Sequence, residues 1–410
     1  MFKSALFCSA FMVMVAGEAV AEPLKVALVE TLSGAQASTG LLYRTAVLYE
    51  IDRINAAGGF RGEKIELAEY DSQGGPVGAA DRVKAAIADG ARVILQGSSS
   101  SVAGQISEDV RKYNLRNKGR EVLYINLGGE ALELTGEKCH FHIIRTSPNA
   151  TIRFQTLTKG MRELGLMGDK IYSINQNYSW GVDVQSIVEA NAAPVGYTVV
   201  GKTLHDVNKI QDFSPYVAQI QQSGADTVLT GNWSNDLLLL MKATSDAKLQ
   251  VRFGTSFLDQ PGNIGNAGAV AEGHVMSAPY NPELNESSKV FAEDYKAKSG
   301  HYPAYVEPYG VFGMHLFGAA LKTLESGTEP VTADQIVLAM ERTQIETPTG
   351  TLRIRSADHQ AEMPMIIQQV SKDAAFKVDG TEYGFKPLKV YSGADSADLV
   401  QATCQMKRPG

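Results

Sequence analysis

The stretch INAAGGFRGEKIELAEYDSQ, Ile54–Gln73, decides how this chain folds. It closes a helix-patterned run, Thr45–Asn55, and Gly58-Gly59 stops that run because glycine accepts a left-handed backbone without a Cβ clash. A turn at Arg61-Gly62 leads into Lys64–Tyr70, whose polar and apolar residues alternate as in a strand. Working outward, the apolar run Lys25–Val29 precedes the helix, and a second helix, Gly78–Asp89, leads into a third strand, Arg92–Gln96. Strand–helix–strand–helix–strand is the order of a parallel, doubly wound sheet.

The chain has 410 residues, room for two lobes of ordinary domain size. Its 44% hydrophobic and 20% charged content describe a globular protein, and no internal apolar run is long enough to span a bilayer. The net charge of −7 argues against nucleic-acid binding, where basic patches supply the affinity. At the N-terminus, Lys3, the apolar run Ala5–Ala16 and the small-x-small site Ala19-Val20-Ala21 read as a secretory leader cut after Ala21. Leu6-Phe7 before Cys8 lacks the small residue of a lipoprotein signal, so a free, exported protein is expected. Export makes a Cys139–Cys404 disulfide plausible, with two unpaired thiols as the alternative. His140 and His142 flank Cys139, but no second CxxC or HxxxH pattern supports a zinc site.

Ser33-Gly34, Gly40, Ala46, the run Ile54–Gly62 and Asp71 together resemble the periplasmic binding proteins for leucine, isoleucine and valine, which feed ABC importers. The resemblance spans nearly the whole mature chain. It implies an α/β fold of two doubly wound parallel-sheet lobes joined by a three-strand hinge, the type I form of these proteins. It places crossovers at Ser147-Pro148-Asn149, near Pro279–Pro282, and at Thr347–Gly350. The expected divisions are a signal peptide at 1–21, a first lobe of 22–147 plus 281–347, and a second lobe of 148–280 plus 348–410. Everything after Thr351 is expected to decorate the second lobe, with the last twenty residues free to wander.

Strand-to-helix loops of two such lobes face one cleft. Ser99, Ser100 and Ser101 precede the helix Val102–Tyr113, where hydroxyls and first-turn N–H groups can meet an anion. The resemblance gives Ser99 to the ligand carboxylate; a plain helix cap is the other reading. Gly128 and Glu130 occupy the loop after the fourth strand, Val122–Asn126, and Glu130 either pairs with a ligand ammonium or is solvated at the rim. From the second lobe, Tyr178 and Trp180 lie in Tyr-x-x-Gly, and Trp233 stands where the family often has tyrosine. Aromatic rings supply area and orientation, though any tryptophan can simply pack in a core. The family's usual acid for the ammonium is replaced by Phe257; Asp259 is displaced into that role, or the acid is missing.

No Gly-x-Ser-x-Gly elbow, Walker loop or His-Glu-x-x-His helix is present, and His205, His274, His301, His315 and His359 are scattered, so an enzyme is not expected. The resemblance implies a monomeric periplasmic solute-binding protein without cofactor or metal, partnered by an inner-membrane ABC permease. Two ligand classes stay open: a branched-chain amino acid, or an aromatic or similar organic acid. A ligand-sensing partner of a membrane receptor is the alternative role.

Overall fold

The computed structural model describes residues 23–327 and 329–409, so the expected leader at 1–21 lies outside the described residues. Strands β1 (Lys25–Glu30), β2 (Glu66–Asp71), β3 (Val93–Gln96), β4 (Leu123–Asn126) and β5 (Ile143–Arg145) form a parallel sheet in the order β2-β1-β3-β4-β5. The Ile54–Gln73 stretch behaves as its residues dictate. Gly59 has φ +73°, and a Cβ there would sit 2.0 Å from the Glu63 carbonyl oxygen, so only glycine fits the turn. Asn55 then clamps the incoming strand, its side chain accepting from Ile65 N–H at 2.8 Å and donating to Ile65 C=O at 3.1 Å.

A second sheet contains β6 (Lys170–Gln176), β7 (Thr198–His205), β8 (Thr227–Thr230), β9 (Arg252–Thr255) and β10 (Val275–Ala278), all parallel. Strands β11 (Gln344–Thr347), β12 (Gly350–Ile354) and β13 (Ala361–Glu362) make a small antiparallel sheet of their own. Strands β14 (Met365–Ser371) and β15 (Gly384–Tyr391) extend the second sheet antiparallel, giving the order β15-β14-β10-β9-β8-β6-β7. Helices Glu286–Ser299, Glu307–Lys322 and Ala333–Arg342 return to pack around the first lobe, chiefly against the helix Ala37–Ala56 and one another.

The chain passes between the lobes through three segments, and hydrogen bonds tie these together. Thr349 Oγ1 donates to Pro279 C=O at 3.0 Å, and Gln360 Nε2 donates to Ser147 C=O at 2.8 Å. The third passage differs from expectation. Residues 350–362 do not decorate the second lobe: β12 folds back on β11, and Arg145 N–H donates to His359 C=O at 3.0 Å. The chain enters the second sheet only at Met365. A tight turn at Gly350 (φ +131°) lets β12 satisfy its backbone locally before crossing.

Other departures have similar causes. The helix Ala37–Ala56 starts eight residues before the expected Thr45, because Gly40 lets its first turn press on β1; a Cβ there would lie 1.8 Å from the Thr31 carbonyl oxygen. Its small, weakly helical leading residues hide that start in the sequence. The C-terminal tail does not wander. Cys404 is bonded to Cys139 with Cα atoms 5.5 Å apart, Arg408 stacks over Phe141 and donates to Ser356 C=O, and Arg355 holds Asp398 at 3.0 Å.

Candidate functional site

The C-terminal ends of β1, β3 and β4 face those of β6, β8 and β9 across a closed cleft. A cavity lined by residues of both lobes lies between them. Behind its first-lobe wall, outside the lining, lies Glu30, the last residue of β1, which is wholly buried. Its carboxylate accepts N–H groups from Thr31 (2.7 Å), Gly97 (2.7 Å) and Ser98 (3.1 Å), lashing the loop after β3 to the loop after β1. Burial raises the Glu30 carboxyl above its usual pKa, and these N–H groups pull against that rise.

Tyr43, from the helix Ala37–Ala56, slots its ring between Gly97 and Gly128. A Cβ on Gly97 would lie 2.4 Å from the ring, and one on Gly128 1.6 Å from the Tyr43 hydroxyl, so both positions require glycine. The Tyr43 hydroxyl meets that of Tyr309 at 3.3 Å. Ser99 has φ +71°, a conformation costly for a side-chain-bearing residue, and its Oγ lies 2.9 Å from Ser101 Oγ. Ser100 Oγ accepts the N–H groups of Glu130 (3.0 Å) and Ala131 (3.1 Å), pinning the loop after β4 to the start of the helix Ser100–Arg116.

The second-lobe wall is aromatic. Trp233 Nε1 donates to the Tyr178 hydroxyl at 2.7 Å, and Trp180 Nε1 donates to Gly231 C=O at 2.7 Å. Trp180, 2% exposed, packs against Phe154 and Phe257, so it is both core and cavity wall. Phe257 meets Tyr305 edge to face, with centroids 5.6 Å apart.

Of the residues singled out from the sequence, Ser99, Ser100, Gly128, Glu130, Tyr178, Trp180, Trp233 and Phe257 line this cavity. Ser101 does not. It lines a polar vestibule outside, with Ser33, Gln73, Tyr178 and Asn208, because the helix has turned its side chain away. Asp259 does not line the cavity either; its Oδ2 accepts Tyr305 N–H at 2.9 Å, and burial lifts its pKa to about 6. Glu130 is not solvated at a rim, being 2% exposed. Both its oxygens are held by Arg153, at 2.5 and 2.6 Å. Burial raises the Glu130 carboxyl and Arg153 draws it back; burial also opposes the Arg153 charge, which Glu130 more than restores.

Sequence reasoning missed Thr39, Tyr43, Gly97, Ser98, Tyr305, Val306 and Tyr309, which complete the lining. Tyr305, Val306 and Tyr309 come from the start of the helix Glu307–Lys322, far along the chain from the motif-bearing loops. The φ of +58° at Tyr305 marks a deliberate turn there, but no glycine signals it in the sequence. Among the described residues, no group of three His, Cys, Asp or Glu side chains is placed to hold a metal ion.

This architecture has known counterparts. Residues 23–375 match the model of the family described as periplasmic binding protein. A protein of Brucella abortus named Leu/Ile/Val-binding protein homolog 4 is 66% identical over 409 residues, covering 100% of this chain and 98% of its own length. The solved closed conformation of the leucine-, isoleucine-, valine-, threonine-, and alanine-binding protein of Brucella ovis is 67% identical, covers 95% of this chain and 100% of its own, and superposes with a TM-score of 0.90. A solute-binding protein of Rhodopseudomonas palustris BisB5, solved with 3,4-dihydroxybenzoic acid, shares the fold at 21% identity and a TM-score of 0.77, covering 90% of this chain and 98% of its own.

Proposed function

Because the chain belongs to the periplasmic binding protein family, we propose that it is the extracytoplasmic solute-binding component of an ABC importer, closing on a small hydrophobic amino acid of the branched-chain class. The observation that carries this reading is the cavity between the two lobes and its lining. The Ser98–Ser100 loop and the N-terminus of a seventeen-residue helix face the cavity and suit a carboxylate, and the Arg153-held carboxyl of Glu130 lines the same cavity. The remaining wall is aromatic and apolar, suited to an aliphatic side chain. Names given to the two Brucella relatives point to the same ligand class.

An aromatic acid is the second reading, favoured by Phe257 in place of an acid and by the Tyr178–Trp233 pair. The two lobes, turning about the three linking segments, would close on the ligand and present the closed form to a membrane permease. The protein would act in the periplasm as a monomer, without turnover of its ligand.

A thermal-shift screen tests this. A ligand that binds only the folded form stabilises by about 2.7 kcal/mol at a hundred times its Kd. Leucine, isoleucine and valine should raise Tm, whereas benzoate and 4-hydroxybenzoate should not. A rise with the benzoates alone would transfer the assignment to the second reading.

A further inference from the structure

The C-terminal tail makes a crossing of its own, separate from the three linking segments. It leaves the second sheet at Tyr391, the end of β15, and finishes on the first lobe, where Cys404 is bonded to Cys139 and Arg408 pairs with Glu341. We propose that this tail is a fourth link between the lobes, a strap that limits how far the cleft opens, and that the disulfide is its anchor. The inference goes beyond the functional reading above; it rests on the lobe closure in that reading and not on its ligand.

The contacts follow one another along the strap. Ser396 Oγ donates to Met363 C=O at 2.9 Å, just before the chain enters the second sheet. Asp398 comes next and is 8% exposed. Asn149 of the first linking segment donates to its carboxylate. Arg355 of the third holds the same carboxylate at 3.0 Å and donates to the Asp398 C=O at 2.7 Å. Gln401 and Thr403 then lie against Gly136 of the first lobe, where a Cβ would come within 3.3 and 3.2 Å of their side-chain oxygens. Arg408 ends the strap over Phe141, bound to Glu341, and that carboxylate also holds His359 of the third linking segment at 2.6 Å. The strap is therefore fixed to both lobes and to two of the three segments about which they turn.

Length decides that this is a restraint and not a slack tether. The run from Tyr391 to Cys404 could extend to about 45 Å, too long to hold the lobes by itself. The pin at Asp398 leaves at most about 20 Å of chain before Cys404. Both partners of that pin, Asn149 and Arg355, are shielded from water. At the far end the Arg408–Glu341 pair would release readily without a covalent bond beside it, since the Arg408 side chain is 42% exposed. A link of fixed length removes arrangements from the open ensemble, whereas the closed state is already confined by contacts across the cleft. The strap therefore favours closure, and less of the ligand's binding free energy goes into ordering the lobes.

The experiment reads the opening directly. Spin labels carried on p-acetylphenylalanine are placed at Val77 and Val182, exposed residues on helices that follow the vestibule loops of opposite lobes. The distance distribution between them is measured in the ligand-free protein with the strap intact and released. Cys139→Ser/Cys404→Ser should broaden it toward longer distances and weaken leucine binding about three- to tenfold in calorimetry. Saturating leucine should return the labels to the wild-type closed distance. Asp398→Ala keeps the disulfide and leaves Arg355 paired with Asp358, and should give a smaller change of the same sign. A disulfide that only stabilises the fold would lower Tm on removal while distances and Kd stay as in wild type; that result overturns the inference. Should the double variant fail to fold, folded wild type reduced in place by a phosphine and then thiol-blocked replaces it, since both cysteines are partly exposed. If wild type does not bind leucine, the ligand assignment falls by itself, and the distance distributions alone decide the strap.

Discussion

Asp259 holds a charge where the fold would favour a neutral group, and replacing it should stabilise the protein. Its Oδ2 accepts the Tyr305 N–H at 2.9 Å, but its Oδ1 is buried with no hydrogen-bond partner. Burial is the main cause of its raised pKa, about 6 against a usual 3.8; the Tyr305 N–H and Arg153 pull it down, and Glu307 pushes it up. An acid whose folded pKa is raised binds more protons in the native state between those two values. Stability therefore falls as pH climbs from below 4 through 6. A shift of that size corresponds to about 3 kcal/mol at 1.36 kcal/mol per unit. Asp259 keeps part of its surface in solvent, and the resulting screening lowers the expected cost to about 2 kcal/mol. Asparagine copies the protonated acid: its oxygen can keep the Tyr305 bond, and its amide replaces the unpartnered oxygen. Asp259→Asn should thus be about 2 kcal/mol more stable than wild type at pH 7.5, moving the urea midpoint up by roughly 0.7 M for a slope near 3 kcal/mol/M. The two proteins should converge below pH 4. Leucine affinity should change less than about threefold, since the residue lies outside the cavity. A destabilised variant at pH 7.5, or a difference that does not vary with pH, would refute the reasoning.

Three other outcomes follow from the same structure. Thiol titration of the unfolded, unreduced mature protein should find no free thiol, and Cys139→Ser/Cys404→Ser should cost about 2–5 kcal/mol in urea unfolding because the bond spans 265 residues; two titratable thiols per chain would reject the pairing. Gly128→Ala should force the Tyr43 hydroxyl away, costing about 1–3 kcal/mol of stability and weakening ligand binding, because its Cβ would fall 1.6 Å from that oxygen; wild-type stability and affinity would count against the slot. Ser99→Ala should lower affinity about tenfold if its hydroxyl serves the ligand carboxylate, at roughly 1.5–3 kcal/mol for a bond to a charged group; an unchanged Kd would leave Ser99 as a turn residue alone.

Local chemistry made much of this protein readable in advance. The Ile54–Gln73 stretch carries its own helix stop, turn and strand, because Gly59 and Asn55 act on neighbours within ten residues. The helix Ala333–Arg342 likewise starts on a local signal, the capping box of Thr332 and Gln335, which depends on nothing distant. Strand-end loops rich in serine, glycine and tryptophan marked most of the cavity wall for the same reason: ligand loops follow strands, and those loops are short.

What the tertiary structure alone decided are contacts between residues far apart in sequence. The start of the helix at Ala37 depends on Gly40 meeting Thr31. The return of 350–362 to the first lobe depends on partners such as Arg145. Tyr305 and Tyr309 reach the cavity only because the chain crosses back to the first lobe before them. Glu130 shows the limit most plainly. Its position in the sequence made it a candidate, but its charge, aim and burial are set by Arg153, whose guanidinium is held by Phe257 and Tyr309 from opposite lobes. A sequence pattern fixes which groups are offered at a loop; the dielectric and partners that determine what each group can do exist only once distant elements have packed around it.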